Sequence, residues 1–163
     1  MKTISLEFDG YWREVNKGGI PAESGIYGVY ACTYNKEQNT VSLRELVYVG
    51  ESSDVNSRIS NHERLSDWKK RLRVGETLCY SFAKVEGNDR LRAEAAVIFH
   101  HKPPCNIEYK HSFPFADTTI TATGKHAKID NTFTVYQTSP TREGLGFIPS
   151  PFSVLLALKM KSY

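Results

Sequence analysis

No stretch of this 163-residue chain approaches the ~20 consecutive apolar residues that span a bilayer. The opening Met1-Lys2-Thr3-Ile4-Ser5-Leu6-Glu7 has no secretory hydrophobic region. Cysteine is scarce: Cys32, Cys79 and Cys105 form no C-x-x-C pair and leave one over under any pairing. That argues against a disulfide framework and predicts small buried thiols in a reducing compartment. A soluble cytoplasmic protein, with no membrane partner, is the expectation. There is no Walker loop, no G-x-G-x-x-G and no G-x-S-x-G, so nucleotide hydrolysis, dinucleotide redox chemistry and α/β-hydrolase chemistry lack support. His100-His101 with Cys105 lacks a fourth ligand and a standard zinc spacing. Internal repeats and low-complexity segments are also missing.

What is present suits one full hydrophobic core, with 40% hydrophobic residues and a formal charge of +3. The charge permits a nucleic-acid partner without requiring one. Its distribution is more telling: Arg58, Arg64, Lys69, Lys70, Arg71 and Arg73 crowd one interval, against Glu63 and Asp67. Such a run is often only a solvated helix face.

Two β-prone runs flank the polar Asn35-Lys36-Glu37-Gln38-Asn39: Ile26, Val29 and Tyr30 before it, Leu46, Val47 and Val49 after it. They predict a long hairpin. Alternation then puts Tyr27 and Tyr48 on one face, with Ile26, Val47 and Val49 entering the core behind them. Ser52 or Ser53 offers a helix N-cap, Arg58 and His62 are i and i+4 neighbours, and a further helix with Leu65, Trp68 and Leu72 should run to Arg73. Residues 76–86 read as a third strand. Asp89 to about His101 reads as a helix stopped by Pro103-Pro104, with Glu94 about 60° from the apolar position Leu91. Ile4 to Trp12 reads as a short strand outside this core. Thr118 to Thr138 reads as two or three strands, Ser139 to Ser150 as a loop, and Phe152 to Met160 as an apolar run that suits strand or helix equally.

Gly25-Ile26-Tyr27, Tyr48-Val49-Gly50, Arg58, Glu94 and Asn106 occur in the order of the motif residues of the GIY-YIG nuclease superfamily, which residues ~23–109 resemble. Val49 stands where the family has isoleucine, and the gap between the triplets is longer than the family norm. The resemblance implies an α/β (α+β) fold: a small central antiparallel sheet flanked by helices, here with a strand and loop before it (1–22) and a β-rich extension after it (110–163). It also implies a metal-dependent endonuclease acting on DNA. Tyr27, Tyr48, Arg58, His62, Glu94 and Asn106 would form the site, with Mg²⁺ or Mn²⁺ held on Glu94. Asn106 would brace the backbone, and Arg64, Lys69, Lys70, Arg71 and Arg73 would grip DNA. Arginine followed four residues on by histidine is similar to the restriction-enzyme branch.

The chemistry is demanding for Tyr27 as the base. A phenol pKa near 10 must fall by about three units, roughly 4 kcal/mol, and one arginine at ~4 Å supplies about that much at an effective dielectric of ~20. His62 needs no shift and competes for the role; Tyr27 with His62 assisting is the preferred reading. Singly, each residue has a plain structural explanation: cross-strand aromatics, a solvated arginine, Glu94 paired with Arg90. Two rivals stand beside the nuclease, a non-catalytic nucleic-acid-binding module and a sequence-specific restriction enzyme. Monomer or homodimer is left open.

Overall fold

The structure is a computed structural model that describes residues 1–139 of the chain. The expected loop from Ser139 and the apolar run of Phe152 to Met160 lie, Ser139 excepted, outside the described residues.

Among the described residues six strands form one mixed sheet: β1 (Lys2–Arg13), β2 (Gly25–Asn35), β3 (Thr40–Ser52), β4 (Thr77–Lys84), β5 (Thr118–Gly124) and β6 (Thr132–Val135). Their spatial order is β3-β2-β4-β1-β5-β6. The same residues form the helices α1 (Val55–Ser60), α2 (Leu65–Lys69) and α3 (Asp89–His101), with a 3-10 turn at Glu14–Gly19. This is an α+β fold, and it corrects the expected small antiparallel sheet. β1 is no outlying strand: it pairs antiparallel with β4 and parallel with β5. The C-terminal strands β5 and β6 extend the same sheet. None of the helices described is long and apolar enough to cross a membrane.

Burial explains the strand sequences. β2 is buried at every position from Gly25 to Cys32 because both of its faces are covered, and it reads as a near-continuous apolar run. β1 alternates, with Ile4, Leu6 and Phe8 inside and Ser5, Glu7 and Asp9 exposed, because only one of its faces meets a core. One core lies between the sheet and α3, with Ile26, Val49, Ala95, Ile98 and Phe113. The other lies beneath α1 and α2, with Tyr27, Val47, Ile59, Trp68, Tyr80 and Phe82. Val47 was expected on the face opposite Tyr27. Register shifts in the β2–β3 pairing, one of them where Val29 faces Tyr48 and Tyr30 faces Leu46, leave Val47 as an extra residue and turn it to the tyrosine side.

Three further expectations change. Cys32 and Cys79 are joined by a disulfide between β2 and β4, and only Cys105 is free; strand pairing brings the two Cα atoms to 6.2 Å, which their spacing of 47 residues hides. The reducing-compartment inference therefore loses its basis. The cap of α1 is Asp54, whose carboxylate accepts from the Ser57 amide, with Ser52 supporting it from behind. The helix expected to reach Arg73 ends at Lys69.

Candidate active site

The glycines of both triplets fix where the tyrosines go. A Cβ on Gly50 would lie 2.4 Å from Tyr27 Cζ and Oη, so the phenol crosses its neighbour strand in space that only glycine leaves. A Cβ on Gly25 would meet the Ala83 carbonyl at 2.3 Å. Tyr27 is thereby buried, 1% exposed, and is no open surface group as alternation alone suggested; Tyr48 beside it is half-buried, with ring centroids 6.3 Å apart.

His62 lies beyond the end of α1, in the turn before α2, yet it reaches the same point. Its ring packs on the fully buried Trp68 at 4.3 Å, which also supports Tyr48 at 5.1 Å. The Arg64 amide donates to His62 Nδ1 at 3.0 Å, and His62 Nε2 stands 3.0 Å from Tyr27 Oη. With Nδ1 accepting, the neutral ring carries its proton on Nε2 and donates it to the tyrosine oxygen. Burial, then the Arg58 charge, holds the imidazole down at about 4, so it is neutral at pH 7. His62 is arranged as a hydrogen-bond donor to Tyr27, and not as the proton acceptor that sequence allowed. Burial foremost, then Tyr48, pushes the Tyr27 phenol well above 10, and Arg58 opposes the rise. In the resting protein Tyr27 is a phenol.

Arg58 does line the cleft over Tyr27, but its guanidinium is gripped by Glu63, Nη1 to Oε2 at 2.5 Å and Nη2 to Oε1 at 2.6 Å. That bond holds Glu63 down at about 2 and raises Arg58 further above its ordinary value. Glu94, on α3, is 2% exposed yet opens into the same cleft of about 280 Å³. Arg90, which a purely structural explanation would pair with Glu94, is bonded to Glu51 at 2.5 Å and to Ser24 at 2.8 Å. Asn106 accepts from the Val49 amide and donates to the Val49 carbonyl, both at 2.9 Å, and the Cys105 amide caps the Val47 carbonyl at 3.0 Å. Residues 105–106 thus close the outer edge of β3, the bracing role expected for the asparagine.

The basic segment is less available than its composition suggested. Arg64 is bonded to Asp67 and the Cys105 carbonyl, Lys70 lies 3.6 Å from Asp67, and Arg71 makes two bonds to Glu45 on β3. Lys69 and Arg73 are exposed. Sequence reasoning also missed Glu63, counted only as a stray negative charge, and Trp68, read only as core. A carboxylate five residues after Arg58 was the available signal.

Comparison with protein-family models, with curated proteins and with solved structures finds no match to this chain. The family resemblance therefore rests on the motif residues alone.

Proposed function

We propose that this protein is a metal-dependent endonuclease that hydrolyses DNA phosphodiester bonds, and that β2, β3 and β4 with α1 and α3 are its GIY-YIG-type core. The observation that carries the reading is the convergence of Tyr27, Tyr48, Arg58 and Glu94, residues spread over 68 positions, on one cleft, with Asn106 fixing the strand that holds Tyr48.

The donor set fits a hard divalent cation. Besides its tyrosines and arginines the cleft is lined by Glu51, Glu63, Glu94 and Glu108, and it offers oxygen ligands without thiols. Such a cleft repels phosphate unless a cation offsets its carboxylates. Mg²⁺ or Mn²⁺ held on Glu94 would supply charge neutralisation for the leaving 3′ oxygen.

The chain's own groups do the rest. Glu63 occupies both nitrogens of Arg58 with the geometry a phosphate would take, and at 60% side-chain exposure it can be displaced by DNA. Arg58 then neutralises charge on the pentavalent phosphorus. Tyr27 Oη, in its phenolate form, takes the proton of the attacking water. His62 Nε2–H and Arg58 both favour that phenolate, and burial opposes it. Tyr48 orients the phosphate.

The test separates turnover from binding on a fluorescent duplex. Wild type should bind and cleave with Mg²⁺, and Glu94→Gln should bind comparably and leave the duplex intact. Binding by both proteins with cleavage by neither, in Mg²⁺ or Mn²⁺, would replace this reading with the non-catalytic binding module.

A further inference from the structure

A second constellation stands at the C-terminal end of α3, apart from the cleft. His100, His101 and Asp130 each bring one ligand atom to within 4.8 Å of the other two. Asp130 lies on the β5–β6 connection, 29 residues beyond His101, which is why no spacing rule in the sequence finds it. Cys105, the third residue that sequence set beside the histidines, points elsewhere, toward the Asp67 carbonyl.

We propose that these three side chains bind a Zn²⁺ ion, with a fourth position left to water. Two imidazoles and a carboxylate are a donor set that suits zinc, and bond lengths of about 2.0–2.2 Å put neighbouring ligand atoms about 3.4 Å apart. His100 Nε2 donates to Asp130 Oδ2 at 2.8 Å; an ion would replace that proton, the imidazole keeping one on Nδ1, and the two atoms would open to about 3.4 Å. The adjustment falls to the Asp130 carboxylate, which is 65% exposed and bonded to His100.

Two features outside the ligands favour a cation here. Phe133 on β6 fixes both rings, stacked on His100 at 4.2 Å and edge-on to His101 at 5.2 Å, so little side-chain freedom remains to be lost. α3, 13 residues long, points its C-terminal, negative end at the site. The Asp130 amide donates to His101 Nε2 at 3.2 Å, so that nitrogen presents a lone pair rather than a proton. A bound ion would displace the Asp130 amide from that lone pair, leaving the amide of this exposed residue to water, and would tie the helix that carries Glu94 to the β5–β6 connection. The site does not depend on the nuclease reading.

The test is a titration of the full chain with ZnCl₂, followed by calorimetry and thermal unfolding, beside Asp130→Asn, His100→Gln and Cys105→Ser. The expected result is one Zn²⁺ per chain, a Tm that rises with Zn²⁺ and is unmoved by equivalent Mg²⁺, and at least tenfold weaker binding in Asp130→Asn and His100→Gln. Cys105→Ser should bind like wild type. Asp130 and His100 are on the surface, so both variants should fold, checked by their Tm without zinc. Absence of a stoichiometric site, or binding that survives both variants or is lost with Cys105→Ser, overturns the proposal.

Discussion

His62 makes the arrangement around Tyr27 testable without any assay of activity. The groups that face it are Tyr27 from β2, Tyr48 from β3, Trp68 from α2, Arg58 from α1, and the neighbouring Glu63 and Arg64. Burial and the two guanidiniums hold the folded imidazole at about 4, against 6.5 unfolded, with Glu63 opposing. Between those values the unfolded chain binds a proton that the folded chain does not, so stability is full above pH 6.5 and is lost as pH falls toward 4. From pH 7.5 to pH 5 the loss is about 2 kcal/mol at ~1.36 kcal/mol per unit. His101, also held at about 4 by burial, adds a loss of the same sign. The comparison therefore has to be with His62→Gln, measured by urea unfolding followed by circular dichroism. The variant should be less stable at pH 7.5, and the gap should narrow by about 2 kcal/mol at pH 5. Glu63, held at about 2, titrates below this window and leaves it clean. Parallel stability curves for the two proteins would mean that His62 titrates normally, and the assignment of Nε2–H as a donor to Tyr27 would fail.

Asn106→Ala strips partners from both polar groups of buried Val49 and should cost about 3 kcal/mol in urea unfolding, and Asn106→Asp, which sets a buried carboxylate oxygen against the Val49 carbonyl, should cost no less. With Tyr27 as base, the cleavage rate should rise about tenfold per pH unit between pH 6.5 and 8.5 and vanish in Tyr27→Phe, because the phenolate fraction grows with pH. A flat profile over that range would point to His62, already deprotonated throughout. Glu63→Gln frees Arg58 from its charged partner and should tighten binding of a DNA duplex at low salt several-fold, read by fluorescence anisotropy; unchanged affinity would show that Arg58 does not contact phosphate.

Much of the fold was legible because local signals agreed with the final packing. The long hairpin, the third strand and α3 from Asp89 to His101 follow from alternation, helical spacing and the Pro103-Pro104 stop. What sequence could not convey was pairing at a distance. β1 looked peripheral because its own pattern says only that one face is buried, not that β4 and β5 flank it. The Cys32–Cys79 bond needs the β2–β4 register, where Tyr30 faces Cys79, to be recognised. In the site, the residue types were readable and their states were not. Tyr27 appeared as a surface phenol because nothing local reports that its ring fills the space above Gly50. The basic segment appeared free because Glu45, which pairs with Arg71, comes from β3, far back in the sequence.

Cleavage of DNA at the Glu94 cleft is the activity that separates an endonuclease from a binding module. Supercoiled plasmid should be incubated with wild type and with Glu94→Ala, in Mg²⁺, in Mn²⁺ and in EDTA. Nicked and linear products from wild type with either metal, absent in EDTA and in Glu94→Ala, are the predicted result. Plasmid left intact by wild type under every condition, or cut equally by Glu94→Ala, would contradict it.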